Sequence, residues 1–158
     1  MRHTLAVLME NTPGVLTRVA GLFSRRGFNI DSLTVGRAEK PGFSRMTIVV
    51  EGDNTVLEQV TKQLYKLIEV LKVTDITSEQ FVDRELVLIK VGLDQPSQRG
   101  EILQIADIFR ARIVDLSKKS ITLECTGDEN KINAFEESIQ PYGIKELMRT
   151  GKVAMLRH

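Results

Sequence analysis

Glu10-Asn11-Thr12-Pro13-Gly14-Val15-Leu16 joins an apolar run, Leu5 to Met9, to a run of helical period formed by Val15, Val19, Leu22 and Phe23. The junction reads as a strand, a tight loop and a helix start. Thr12 suits an N-cap, and Pro13 suits the first helical turn because its missing N–H would have had no intrahelical partner. Gly14 lets another group approach the backbone closely. The loop therefore gathers free N–H groups at the positive end of a helix dipole, which holds anions without any charged side chain. Taken alone, the same residues also serve as a plain helix start.

Outward from this junction the chain reads as strand, helix, strand, strand, helix, strand. Residues 2 to 9 form the first strand. Val15 to Arg26 form an amphipathic helix, and Gly27 closes it in the left-handed conformation. Asn29 to Arg37 return as a strand, and a polar turn with Pro41-Gly42 leads into a strand where Met46, Ile48 and Val50 alternate with polar residues. After Gly52, Asp53 or Asn54 caps a second helix carrying Leu57, Val60, Leu64, Leu67 and Ile68, and a last strand runs near Val70 to Ile76.

From Arg84 the order begins again, with a strand at Glu85 to Val91, the loop Asp94-Gln95-Pro96-Ser97, and a helix with Ile102, Ile105, Ala106 and Phe109 on one face. Strands follow at Ile113 to Leu116 and Ile121 to Cys125, then a helix with Ile132, Phe135 and Ile139, and a strand at Ile144 to Met148. Gly127-Asp128 repeats Gly52-Asp53, and Ile108-Phe109-Arg110-Ala111-Arg112 echoes Leu22-Phe23-Ser24-Arg25-Arg26, as expected of an internal duplication. The polar segment Thr77 to Asp83 divides the copies, giving domains 1–78 and 79–158. Four strands and two helices per copy pack most economically as an antiparallel sheet with both helices on one face, an α+β fold of two ferredoxin-like (βαββαβ) domains in tandem. Leu8, Val49, Val87 and Ile89 fall on both sides of their strands, so the second sheet face needs a cover, from the other copy or from a paired subunit.

The chain has 158 residues, of which 42% are hydrophobic, and this suffices for one medium or two small cores. Lys+Arg 22 against Asp+Glu 21 leave a net charge of +1, so no field recruits nucleic acid or an anionic membrane. No apolar run approaches the roughly 18 residues of a membrane span. The single Cys125 has no internal disulfide partner, and the N-terminus lacks the zones of a signal peptide, so a cytoplasmic location is expected.

Chemistry-bearing residues are sparse. His3 and His158 have no second histidine or cysteine at ligand spacing, which speaks against a transition-metal site. Cys125 shares the apolar side of a strand with Ile121 and Leu123, as a buried thiol does. Gly52-Asp53-Asn54 is superficially similar to the start of a thiamine-diphosphate motif, but the Gly127-Asp128 repeat makes a helix cap the better reading. Arg18, Arg25 and Arg26 read as a solvated helix face or a surface for a partner. Acylphosphatase shares the topology, yet Arg18 comes after the helix has begun, the wrong place for its phosphate loop. An RNA-binding module of this topology carries aromatics on its central strands, where Met46, Ile48 and Val50 stand instead. No nucleophile with a base and no carboxylate pair supports catalysis by this chain.

The run Glu10 to Leu16, with Gly21-Leu22-Phe23-Ser24-Arg25-Arg26-Gly27-Phe28-Asn29-Ile30-Asp31-Ser32-Leu33-Thr34-Val35, closely resembles the acetohydroxyacid (acetolactate) synthase small regulatory subunit, an ACT-domain family. The resemblance extends through Ser44-Arg45-Met46-Thr47 and Arg84-Glu85-Leu86 and covers nearly the whole chain. It implies a non-catalytic subunit that activates a large catalytic partner, itself carrying thiamine diphosphate, Mg and FAD, and makes it sensitive to valine or another branched-chain amino acid. It also implies a homodimer whose effector lies between two ACT domains, with Asn11, Thr12, Pro13, Gly14 and Val15 of one chain facing Asn29 and Ile30 of the other. The residues themselves supply what a zwitterionic amino acid needs: N–H groups at Gly14 and Val15, acceptors on Asn11 and Asn29, and an apolar wall from Val15, Ile30 and Leu33. Thr17, one turn below the loop, and Gly36, where a side chain would crowd a subunit seam, rank second. A stand-alone ACT-type amino-acid sensor is the alternative. The loop at Gln95-Pro96-Ser97 lacks the Asn-Thr-Pro-Gly signature, so it is not expected to bind the same ligand.

Overall fold

Alternation along the strands builds the first sheet. In β1 (Arg2–Glu10) Leu5, Val7 and Met9 turn to one face, and in β3 (Phe43–Glu51) Met46, Ile48 and Val50 do the same. The computed structural model, which describes residues 1–158, packs α1 (Val15–Arg26) and α2 (Asn54–Tyr65) against that face. Val19 and Phe23 from α1 and Val60 and Leu64 from α2 close the core. Each such side chain contributes about 1.5–3 kcal/mol when fully buried. β2 (Asn29–Arg37) and β4 (Val70–Asp75) complete an antiparallel sheet of order β2-β3-β1-β4, which leaves β2 as an edge strand.

The same plan recurs in β5 (Phe81–Gly92), α3 (Pro96–Phe109), β6 (Arg112–Leu116), β7 (Ser120–Gly127), α4 (Glu129–Ile139) and β8 (Ile144–Arg149), with sheet order β6-β7-β5-β8. Val87, Ile89, Ile102, Leu123 and Phe135 form its core. The chain is thus an α+β tandem of two ferredoxin-like units. Local signals set many element ends. α1 spans the residues expected of it, and Gly27 closes it at φ 69°. Asp53 and Asp128 cap α2 and α4, their carboxylates accepting from the N–H groups of Val56 and Lys131 at 2.9 Å.

Three expectations are corrected. α2 ends at Tyr65, so Ile68 lies beyond the helix and is 92% exposed. The strand expected from Glu85 begins earlier, at Phe81, inside the segment Thr77 to Asp83. The compact units are Met1–Val82 with Gly151–His158, and Asp83–Thr150, so a single cut at residue 78 does not describe the chain. The tail carries a ninth strand, β9 (Val153–Leu156), which pairs with β5 and was not foreseen. Its N–H at Ala154 donates to Thr47 Oγ1 at 3.4 Å, and Gly151 sits where a Cβ would lie 2.6 Å from Thr34 Oγ1 and 3.1 Å from Ser32 Cβ. These partners point away from the helices, so the tail of this same chain supplies part of the cover that the second sheet face requires.

Removing either capping carboxylate, as Asp53→Ala or Asp128→Ala, is expected to cost about 0.5–2 kcal/mol in urea unfolding. Thr12→Ala is expected to change stability by less than about 0.5 kcal/mol, because the threonine caps nothing.

Candidate functional site

The loop after β1 does not take the conformation its residues first indicate. α1 begins at Val15, its N-cap is Gly14 rather than Thr12, and no side chain caps it. Pro13 stands outside the helix, not in its first turn. The Val15 N–H donates back to Thr12 O at 3.4 Å, and Gly14 has φ 84° and ψ −6°. These are the values of the third residue of a type II turn, a position that favours glycine, while proline is common at the second. The first helical bond runs from the Arg18 N–H to Gly14 O at 3.0 Å, which leaves the Leu16 and Thr17 amides as the helix's orphan donors. The free N–H groups are therefore those of Gly14, Leu16 and Thr17, and the Val15 N–H is committed to the turn.

Two neighbouring turns hold this loop in place. The Glu10 N–H donates to Glu69 O and the Asn11 N–H to Gly42 O, each at 2.8 Å. Asn11, Thr12, Pro13 and Gly14 are exposed, but Val15 is 2% exposed and lies in the helix-sheet core. Its side chain is therefore not available as an apolar wall. Arg18 reaches back over the loop, with Nη1 3.2 Å from where a Gly14 Cβ would lie, and pairs with Glu69. Sequence inspection missed Glu69, since nothing local ties it to a loop some fifty positions earlier.

The remaining candidate residues lie elsewhere in the unit. Asn29 pairs with Glu51 at the start of β2, whereas Glu10 pairs with Phe43 at the opposite end of β3. The nine residues of β3 separate these ends, about 26 Å at about 3.3 Å per residue. One chain therefore does not bring Asn29 and Ile30 to the loop. Asn29 Nδ2 donates to Asp31 Oδ1 at 3.2 Å, and Ile30 and Leu33 are half-buried against the core. Thr17 is exposed on α1, and Gly36 is exposed with nothing within 4 Å of an added Cβ, so any crowding there would come from a second chain.

The equivalent loop of the second unit is built differently. α3 starts at Pro96 with Gln95 as N-cap, so proline occupies the first helical turn in this copy only. The Gln98 side-chain oxygen accepts from the N–H groups of Asp94 and Gln95, at 3.1 and 3.3 Å. The chain's own carboxamide thus occupies donors that an outside anion would need. Elsewhere, His3 is 2% exposed in β1, and Cys125 is 1% exposed. No group of three His, Cys, Asp or Glu side chains is placed to hold a metal, and no helix is long and apolar enough to cross a membrane.

Comparison with known proteins places both units. Residues 5–72 match a family model described as an AHAS small subunit-like ACT domain, and residues 84–158 match one described as the small subunit of acetolactate synthase. A protein of Archaeoglobus fulgidus named "Probable acetolactate synthase small subunit" is 64% identical over 99% of this chain and 98% of its own length. The acetolactate synthase small subunit of Aquifex aeolicus is 51% identical, over 99% of this chain and 81% of its own length. The crystal structure of the acetolactate synthase small subunit from Thermotoga maritima superposes with a TM-score of 0.92 at 46% identity, covering 100% of this chain and 98% of that one.

Gln98→Ala removes the internal acceptor and is expected to lower the stability of the second unit by about 1 kcal/mol in urea unfolding. Burial pushes the Cys125 thiol above its ordinary pKa, against a smaller opposing pull from Lys131. It is therefore expected to resist maleimide at neutral pH and to react only once the chain is denatured.

Proposed function

We propose, since the chain belongs to the acetolactate synthase small-subunit family, that it is the non-catalytic regulatory subunit that activates the large catalytic subunit and confers feedback inhibition by valine. In this reading it acts in the cytoplasm, and thiamine diphosphate, Mg and FAD belong to the large subunit.

One observation carries the valine site: the free N–H groups at the Gly14 turn and the residues Asn29 and Ile30 stand at opposite ends of one sheet whose edge strand, β2, has no outer neighbour. Antiparallel pairing of two β2 edges about a twofold axis carries Asn29 and Ile30 of a second copy to the end where the loop lies. The site is then shared by two chains of a homodimer. The Gly14, Leu16 and Thr17 amides take the carboxylate, Asn11 and Asn29 of the second copy accept from the ammonium, and Ile30 and Leu33 of that copy border the side chain. Thr12 and Pro13 shape the turn, Val15 anchors it to the core, and Gly36 keeps the seam narrow. The unit Met1–Val82 with Gly151–His158 serves as the effector-binding ACT domain, and Asp83–Thr150 as a second ACT-like domain whose loop is silent because Gln98 fills it.

Inhibition follows by linkage. If valine binds one arrangement of the dimer better and the large subunit prefers another, valine shifts the assembly from its active form, and a coupling of about 1–3 kcal/mol suffices. A stand-alone amino-acid sensor is distinguished by mixing: it would bind valine and leave the synthase unaffected.

Gly14→Asp places a non-glycine residue at φ 84° and a carboxylate beside Arg18. In holoenzyme assays it is expected to abolish valine inhibition while activation of the large subunit persists. Full valine sensitivity in this variant would refute the site.

A further inference from the structure

The Gly14 loop is bridged by two opposite charges that its function as a backbone anion site does not use. Arg18 lies four residues beyond Gly14, one helical turn on, and its guanidinium folds back to 3.2 Å from the Gly14 Cβ position. There it meets the carboxylate of Glu69, in the turn between α2 and β4. The same turn accepts the Glu10 N–H at 2.8 Å, so Glu69 is held to the end of β1 by its backbone and to α1 by its side chain. The two side chains differ in enclosure, Arg18 being 46% and Glu69 18% exposed. An ion pair with one partner this exposed is screened by water on the Arg18 side, which limits what it adds to stability and lets it open.

We propose that the Arg18–Glu69 pair is a removable plug, displaced by an effector that carries the same two charges, so that the site selects α-amino acids over the corresponding 2-oxo acids and amines. This rests on the Gly14 loop being the effector site. A zwitterion inserted between the partners gives its carboxylate to Arg18 as well as to the free amides of Gly14, Leu16 and Thr17, and its ammonium to Glu69 as well as to Asn11 and to Asn29 of the second copy. Both protein charges keep a partner and no net charge is added. A 2-oxo acid supplies only the anion and leaves Glu69 unpaired beside it. A simple amine leaves Arg18 unpaired. Rejection of either analogue comes from the partner it strands, which a backbone anion hole alone cannot provide, because that hole accepts any carboxylate.

The test is calorimetric titration of the full chain with valine, 3-methyl-2-oxobutanoate and isobutylamine, repeated on Arg18→Gln, Arg18→Lys and Glu69→Gln. The wild type is expected to bind valine more tightly than either analogue by roughly tenfold or more. Glu69→Gln should weaken valine by about the same factor and leave the oxo acid unchanged or improved. Arg18→Gln should weaken valine and the oxo acid together, with partial recovery in Arg18→Lys. Unchanged circular dichroism spectra show that each variant is folded. If folded variants bind valine as the wild type does, lose all three ligands equally, or if the wild type takes the oxo acid as tightly as valine, the plug is refuted while the loop remains a site. If the wild type binds neither valine nor leucine nor isoleucine, the site assignment itself fails and the plug with it.

Discussion

A single left-handed residue governs the end of the first sheet. Gly14 at φ 84° lets the chain leave β1 through a tight turn and enter α1 only at Val15, which drops that valine into the core and holds the loop against the turns at Gly42 and Glu69. With a side chain at that position, the left-handed conformation would cost about 1–2 kcal/mol, and the helix would tend to start earlier. The donors that point outward are consequences of that choice. So is the approach of Arg18, since its guanidinium lies where a Cβ would otherwise crowd it.

The duplicated units show what this residue changes. Both have the same strand order, the same aspartate caps and cores of similar make-up. Where the first unit has Gly14, the second loop runs through Pro96-Ser97 straight into its helix, and Gln98 folds back onto the backbone donors. One copy is left open at the helix start and the other is closed by its own side chain. The difference lies in a few residues, with the fold around them unaltered, which is how sites vary on shared scaffolds.

Much of this was legible in the sequence because it is local. The helical period of Val15, Val19, Leu22 and Phe23, the closing Gly27, the Asp53 and Asp128 caps and the alternation of Met46, Ile48 and Val50 are decided within a few residues of themselves. The failures have physical causes. Thr12-Pro13 fits a helix start as well as it fits a type II turn, and only the dihedral of the following glycine separates them. Ile68 continues the helical spacing, yet α2 stops at Tyr65 so that the chain can turn into β4. The Arg18–Glu69 contact and the return of β9 join residues far apart in the chain, and no window of sequence contains both partners. The separation of Asn29 from the Gly14 loop is likewise a property of strand register.

The tail from Gly151 onward has a practical meaning for dissecting the molecule. The hydroxyl oxygens of Ser32 and Thr34 are buried with no hydrogen-bond partner, close to Gly151, and Thr47 receives the Ala154 amide. Residues 151–158 thus finish a layer begun by β1 to β4. A gene fragment stopping after the first repeat would encode every strand of its sheet and still lack part of that sheet's outer lining. Such a half-molecule, however well it is cut by sequence homology, starts life with a bare β-surface.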